Sequence, residues 1–125
     1  DIRQVAVSGL EGVEYRSLLE TPNVRQSPES IRFDRETDRV YRDTTGPYAI
    51  EDPGFGRRIR IEKEGSDSAV VWNPWVAKAK ALEDFGDDEW PGMLCVETGN
   101  IGANRRTLEP GGRHVSRTVI RVEPL

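Results

Sequence analysis

Met93-Leu94-Cys95-Val96-Glu97-Thr98-Gly99-Asn100 opens with four apolar residues, meets a carboxylate, and closes on turn formers. A continuous apolar run bounded by turn signals is the pattern of a strand buried on both faces. On this reading Glu97 stands at the strand's end, where side chains leave the core. A carboxylate there costs free energy unless it is paired, hydrogen-bonded or used in chemistry. Two roles stay open from the residues alone: a general base, or a strand-end group that caps backbone donors or pairs with an arginine.

Working outward, Ala69 to Trp72 is a second continuous apolar run. Other segments alternate: Val5 and Val7 lead to a turn at Gly9 and Gly12, and Ile31 and Phe33 flank Arg32. Val40-Tyr41 is a short apolar patch, and Ile59 and Ile61 alternate with Arg58, Arg60 and Glu62. These read as half-exposed strands. Val119, Ile120 and Val122 form a last strand that stops at Pro124. Thr21-Pro22-Asn23, Gly46-Pro47, Asp52-Pro53-Gly54 and Glu109-Pro110-Gly111-Gly112 break the chain between runs. Many short strands between such breakers predict a mainly β sandwich or barrel.

One segment departs from that pattern. Val76 to Phe85 is rich in good helix formers, follows Pro74 and stops before Gly86. Val76, Ala79, Leu82 and Phe85 give it a narrow apolar face. It predicts one short helix in a loop of the β scaffold.

The chain has 125 residues, 35% hydrophobic and 32% charged, with a net charge of −4. That balance is polar for a domain of this size and suits half-exposed strands or a piece that expects a partner. The acidic balance argues against nucleic acid as a partner. No apolar stretch approaches the roughly 20 residues of a membrane span. The single Cys95 has no internal disulfide partner, which suits a reducing, cytoplasmic compartment. Inside its apolar run it reads as a small buried hydrophobe.

Nucleophilic and metal chemistry find little support. The one histidine, His114, has no nucleophile turn beside it, and no His or Cys pair has metal-ligand spacing. Gly9-Leu10-Glu11-Gly12 lacks the Lys-Ser/Thr of a phosphate loop. Carboxylates remain. Asp38, in Glu36-Thr37-Asp38-Arg39-Val40-Tyr41, reads either as a functional carboxylate or as a turn residue paired with Arg39. Trp72 and Trp75 around Asn73-Pro74 suit a sugar platform, and equally suit a core. Arg57, Arg58, Arg60, Arg105 and Arg106 could serve an anionic substrate or form a solvated face.

Taken in order, Glu-Thr-Asp-Arg-Val-Tyr, Ser-Asp-Ser-Ala-Val-Val-Trp-Asn-Pro-Trp, an Ala/Lys-rich helix ending Asp-Phe, Met-Leu-Cys-Val-Glu and Leu-Glu-Pro-Gly resemble the glucose-6-phosphate 1-epimerases. These are the hexose-6-phosphate mutarotases, grouped with the aldose 1-epimerases and the apospory-associated protein C-like proteins. The resemblance covers nearly the whole chain.

It implies a galactose-mutarotase-like antiparallel β-sandwich, of which residues 1–125 form the C-terminal part, with the N-terminal half absent. Carried over residue by residue, Glu97 matches the general base and Asp38 the carboxylate that binds sugar hydroxyls. Trp72 and Asn73 match a motif near the site and are expected to bind substrate. The acid, a histidine, and most phosphate-binding arginines would lie in the absent half. The substrate would be a hexose 6-phosphate, whose α and β anomers interconvert by acid–base ring opening and closure. No cofactor or metal is needed, since only protons move, and the full-length protein would be a cytoplasmic monomer. Burial beside the apolar run is expected to raise the Glu97 pKa toward its task. The alternatives are a non-catalytic carbohydrate-binding sandwich and a regulatory relative.

Overall fold

The computed structural model describes residues 1–19 and 24–125, so the breaker Thr21-Pro22-Asn23 lies outside the described residues. In chain order the strands are β1 Ala6–Ser8, β2 Glu14–Ser17, β3 Val24–Arg25, β4 Ile31–Arg32 and β5 Thr37–Arg42. They continue with β6 Tyr48–Asp52, β7 Arg57–Glu64, β8 Ser68–Asn73, β9 Cys95–Gly99 and β10 Arg117–Pro124. One helix, α1 Trp75–Ala81, follows β8. Among the described residues two five-stranded antiparallel sheets result, ordered β10-β7-β6-β1-β4 and β3-β2-β5-β8-β9. This is the mainly β sandwich with one short helix that the sequence implies.

Alternation decides what each sheet buries. Val7 and Ile61 from the first sheet meet Tyr15, Tyr41, Ala69 and Val71 from the second in one core. Each such Val or Ile contributes about 1.5–3 kcal/mol by leaving water. The Tyr41 hydroxyl, fully buried, donates to Gln26 Oε1 at 2.8 Å, and its burial pushes its pKa up to about 12. Gly9 must be glycine for space as well as conformation. Its φ is +91°, and a Cβ there would stand 2.2 Å from the Pro47 carbonyl oxygen.

β8 is the buried strand that its apolar run predicts. It lies between β5 and β9, and Ser68 to Val71 are all buried. The run from Met93 is different, and here the expectation is corrected. The strand begins only at Cys95, and its residues are half-buried or exposed. The cause is position: β9 pairs with β8 alone among the described residues, so its other edge is open. Glu97 therefore stands in the middle of an edge strand and is exposed, rather than ending a buried one.

The helix is also shorter than its composition predicts. It ends at Ala81, and Leu82 is extended, with φ −91° and ψ 122°. Beyond lie Glu83, Asp84, Asp87, Asp88 and Glu89. Carboxylates at a helix C-terminus oppose the negative end of its dipole, which explains the early stop. Ala79 is the buried residue of the helix, and Val76 is 40% exposed.

Two asparagines fasten β9 at its ends. Before the strand, Asn73 Nδ2 donates to the carbonyls of Trp90 at 2.8 Å and Met93 at 2.6 Å. After it, Asn100 Oδ1 accepts from the Asp67 N–H at 3.2 Å, while its Nδ2 donates to the Gly65 carbonyl at 2.9 Å. Both clasps tie β9 to the neighbouring strand β8 or to the turn that precedes it.

Candidate active site

Register places the candidate residues. Across the second sheet, Asp38 in β5 pairs with Trp72 in β8, which pairs with Cys95 in β9. One rung away, Val40 pairs with Val70, which pairs with Glu97. Direct cross-strand partners share a face. Arg39, Val71 and Val96 share the opposite face, where Val71 is fully buried and Val96 packs on the core. So Asp38, Trp72 and Glu97 stand together on the outer face of this sheet, two strand spacings apart at most. By strand geometry the Asp38 and Glu97 backbones are about 10 Å apart across the strands and about 7 Å along them. That separation suits two carboxylates on opposite sides of one sugar ring.

The face has a graded environment. Asp38 is half-buried, and that burial raises its carboxyl pKa against the opposing pull of the Lys78 ammonium on α1. Glu97 is exposed. Cys95 is half-buried beside it, and burial first, then the Glu97 charge, push its thiol pKa up. A thiol held protonated in this way is a poor nucleophile. Val40 and Val70 form an apolar floor between the carboxylates, and Trp72 adds a half-buried indole beside Asp38.

Asn73 is not part of this face. It is fully buried, on the core side of β8, and its polar atoms are all engaged. Besides the two carbonyls its Nδ2 meets, its Oδ1 accepts the Trp75 N–H at 2.9 Å. It thereby holds Trp75 at φ +54°, a left-handed conformation that costs a non-glycine residue on the order of 1–3 kcal/mol. The Trp75 ring lies 4.4 Å from the Trp90 ring, centroid to centroid. The Trp-Asn-Pro-Trp string thus splits: Trp72 faces the site, while Asn73 and Trp75 position the chain behind it. The substrate contact expected of Asn73 has no geometric support, because the side chain is spent on the backbone.

The remaining candidates fall elsewhere. His114 Nε2 donates to the Gly65 carbonyl at 2.6 Å on a loop beyond the β7–β8 turn. Arg57, Arg58, Arg60 and Arg106 pair with Asp52, Glu51, Glu62 and Asp67, so the solvated-face reading holds for them. Among the described residues no group of three or more His, Cys, Asp or Glu is arranged to hold a metal. No helix of the described residues is long and apolar enough to cross a membrane. Sequence reasoning passed over Arg16 and Lys78, which also border the outer face. Arg16 was legible from the alternation of Glu14-Tyr15-Arg16-Ser17, which sets it opposite the buried Tyr15. Lys78 depends on where the helix docks, which no local pattern shows.

Comparison with known proteins gives one consistent picture. Residues 1–121 match the aldose 1-epimerase family. A protein of Cenchrus ciliaris, provisionally named glucose-6-phosphate 1-epimerase, is 38% identical over 125 residues, which cover 99% of this chain and 38% of that protein. One from Haemophilus influenzae, with the same provisional name, is 32% identical over 101 residues, covering 81% of this chain and 35% of that protein. The crystal structure of HI1317 superposes with a TM-score of 0.78 at 27% identity, over 98% of this chain and 42% of that one. A provisionally named mutarotase from Salmonella typhimurium superposes at 0.79 with 24% identity, over 100% and 42%. The chain therefore spans roughly two fifths of the length of these proteins.

Proposed function

The chain belongs to the aldose 1-epimerase family, and from that premise we propose that its outer-face carboxylates interconvert the anomers of a hexose 6-phosphate. The observation that carries this reading is the shared face of Asp38, Trp72 and Glu97. Glu97 is the base that removes the proton of the C1 hydroxyl. An acid protonates the ring oxygen, the C1–O5 bond breaks, and the open aldehyde rotates about C1–C2. Closure on the other face runs the same transfers in reverse. Asp38 accepts hydrogen bonds from sugar hydroxyls and fixes the ring, with the Trp72 indole beside it.

Glu97 is exposed here, so its expected burial has to come from substrate and from residues outside this chain. The acid comes from outside it too, since His114 is tied to the Gly65 carbonyl. On this reading residues 1–125 are the C-terminal part of one sandwich domain, inactive without the rest. Only protons move, so the reaction itself asks for no redox group. The provisional names of the relatives and the match to the family support the substrate class.

The test is anomer exchange of glucose 6-phosphate, followed by magnetisation-transfer NMR on the full-length protein. Glu97→Gln should slow it by about 10²- to 10⁴-fold, the usual contribution of a general base. An unchanged rate would remove Glu97 from the role. If the wild type does not accelerate exchange at all, the site is a sugar-binding surface instead.

A further inference from the structure

β10 closes one end of the first sheet, and among the described residues no strand lies on its outer edge. Leu125 donates its N–H to the Gly56 carbonyl at 3.0 Å, one step beyond the Pro124–Arg57 pair. Bonded and non-bonded pairs alternate along an antiparallel ladder, so Thr118, Ile120 and Val122 turn their N–H and C=O groups outward. Pro124 shares that outward set and has no N–H to leave unpaired. Beside this edge stand the exposed apolar side chains of Val115, Ile120, Val122 and Leu125. Free backbone groups and bare apolar side chains together make a template for another strand.

We propose that two copies of this chain pair through β10, antiparallel, with Ile120 opposite the partner's Ile120. The pairing is independent of the sugar chemistry of the other sheet.

Symmetry, charge and hydrogen bonding select that register. A two-fold axis normal to the sheet keeps every residue on its own face, so an even-numbered residue can oppose only an even-numbered one. The axis therefore passes beside a single residue, which meets its own copy. An axis at Arg121 sets Arg121 against the partner's Arg121, and one at Val119 sets Arg117 against the partner's Arg121. Like charges directly opposite each other are destabilising. An axis at Thr118 pairs only Arg117 to Val119. An axis at Val122 puts Ile120 opposite the partner's Pro124, which cannot donate. The axis at Ile120 has none of these faults, and its outward groups form about six new backbone hydrogen bonds.

The side chains agree with it. Glu123 meets the partner's Arg117. Within one copy Glu123 stands opposite Arg58, Arg58 opposite Glu51, and Arg117 opposite Glu64. Charge then alternates without a break from Glu51 through Arg58, Glu123 and the partner's Arg117 to the partner's Glu64, and symmetry repeats the row. Arg121 is already held by Glu62 at 2.8 Å and brings no bare charge to the seam. On the inner face Val122 meets the partner's Thr118, and one step past the strands Leu125 falls opposite the partner's Val115.

The test is sedimentation velocity on the 125-residue chain. The wild type should dimerise reversibly. Glu123→Arg and Arg117→Glu each set like charges face to face at both ends of the seam, and each should weaken dimerisation by roughly tenfold or more. An equimolar mixture of the two variants should regain wild-type dimerisation, because each then finds its opposite charge. Recovery in the mixture also excludes misfolding as the cause. A chain monomeric at every concentration, variants that dimerise like the wild type, or a mixture that fails to recover overturns the proposal. Hydrogen exchange on the full-length protein shows whether another segment covers the edge. Slow exchange of the Ile120 and Val122 amides in a monomer overturns the proposal, and protection that appears only on dimerisation sustains it.

Discussion

Asn73 and Met93 are joined by a 2.6 Å hydrogen bond from the Asn73 amide to the Met93 carbonyl, which sets where β9 begins. The same amide reaches the Trp90 carbonyl, and its oxygen takes the Trp75 N–H. Asn73→Ala removes three bonds and strands two carbonyls near the core. We expect a loss of about 2–4 kcal/mol in denaturant unfolding. Asn73→Asp, which keeps the acceptor but buries a charge without the donors, should lose at least as much. A loss below about 1 kcal/mol, the net worth of a single hydrogen bond, would show that the clasp is dispensable.

Asp38 carries a stability cost with a defined sign. Its folded pKa is raised by burial, so between the unfolded and folded values the folded state holds more proton. Stability contributed by this group is present at low pH and falls as pH rises through that window. Asp38→Asn should therefore leave stability at neutral pH unchanged or higher, while activity falls by about 10- to 100-fold through lost hydrogen bonds to the sugar. Thermal unfolding at pH 3 and pH 7, beside the exchange assay, reads both effects. A destabilised Asp38→Asn at pH 7 would contradict the burial argument.

Lys63 points into the core from β7, donates to the Ser68 carbonyl at 2.7 Å and lies over the Tyr48 ring. Burial lowers its pKa from the ordinary 10.5 to about 8. Between those values the unfolded chain holds more proton, so stability should rise as pH climbs from about 8 toward 10.5. Lys63→Met should flatten that rise. Urea midpoints across the alkaline range measure it, and an equal slope in both proteins would rule Lys63 out as its source.

Ile120 and Val122 pair in register with Ile61 and Ile59, yet each is 64% exposed. β10 and β9 are the edge strands on that flank, so the core is uncovered there. The 125-residue chain should associate as its concentration rises. Ile120→Lys with Val122→Thr should reduce association in sedimentation velocity and change stability by only about 0.5 kcal/mol. A monomer at every concentration would contradict this.

Much of this fold is legible in local pattern. The runs around Val7, Ile31, Ile59, Val70 and Val119 all lie in or beside strands, because alternation and breakers are local signals. What misled was the stretch from Met93. An apolar run reports that a strand prefers burial on two faces, but only the sheet order shows whether a neighbour supplies the second. The site residues divide the same way. Asp38 and Glu97 were readable as carboxylates in strands, but their shared face depends on a register through β8 that neither segment contains. Asn73 is expected to bind substrate because, with Trp72, it matches a family motif near the site. The period of two sends the next residue to the other face, and that rule was available from the sequence.

Arg16 in β2 pairs with Val40, Val40 with Val70 and Val70 with Glu97, a row across four strands of the outer face. Adjacent strands in a sheet rotate by about 20–25° relative to each other. Three steps turn the Glu97 strand by roughly 60–75° against that of Arg16, so the side chains at the two ends of the row point in different directions. A ligand laid along it is approached at its two ends from different directions. An elongated molecule that twists along its length follows that turn better than a flat one of equal length. The handedness of the backbone thereby becomes a filter on ligand shape, in place before any side chain moves.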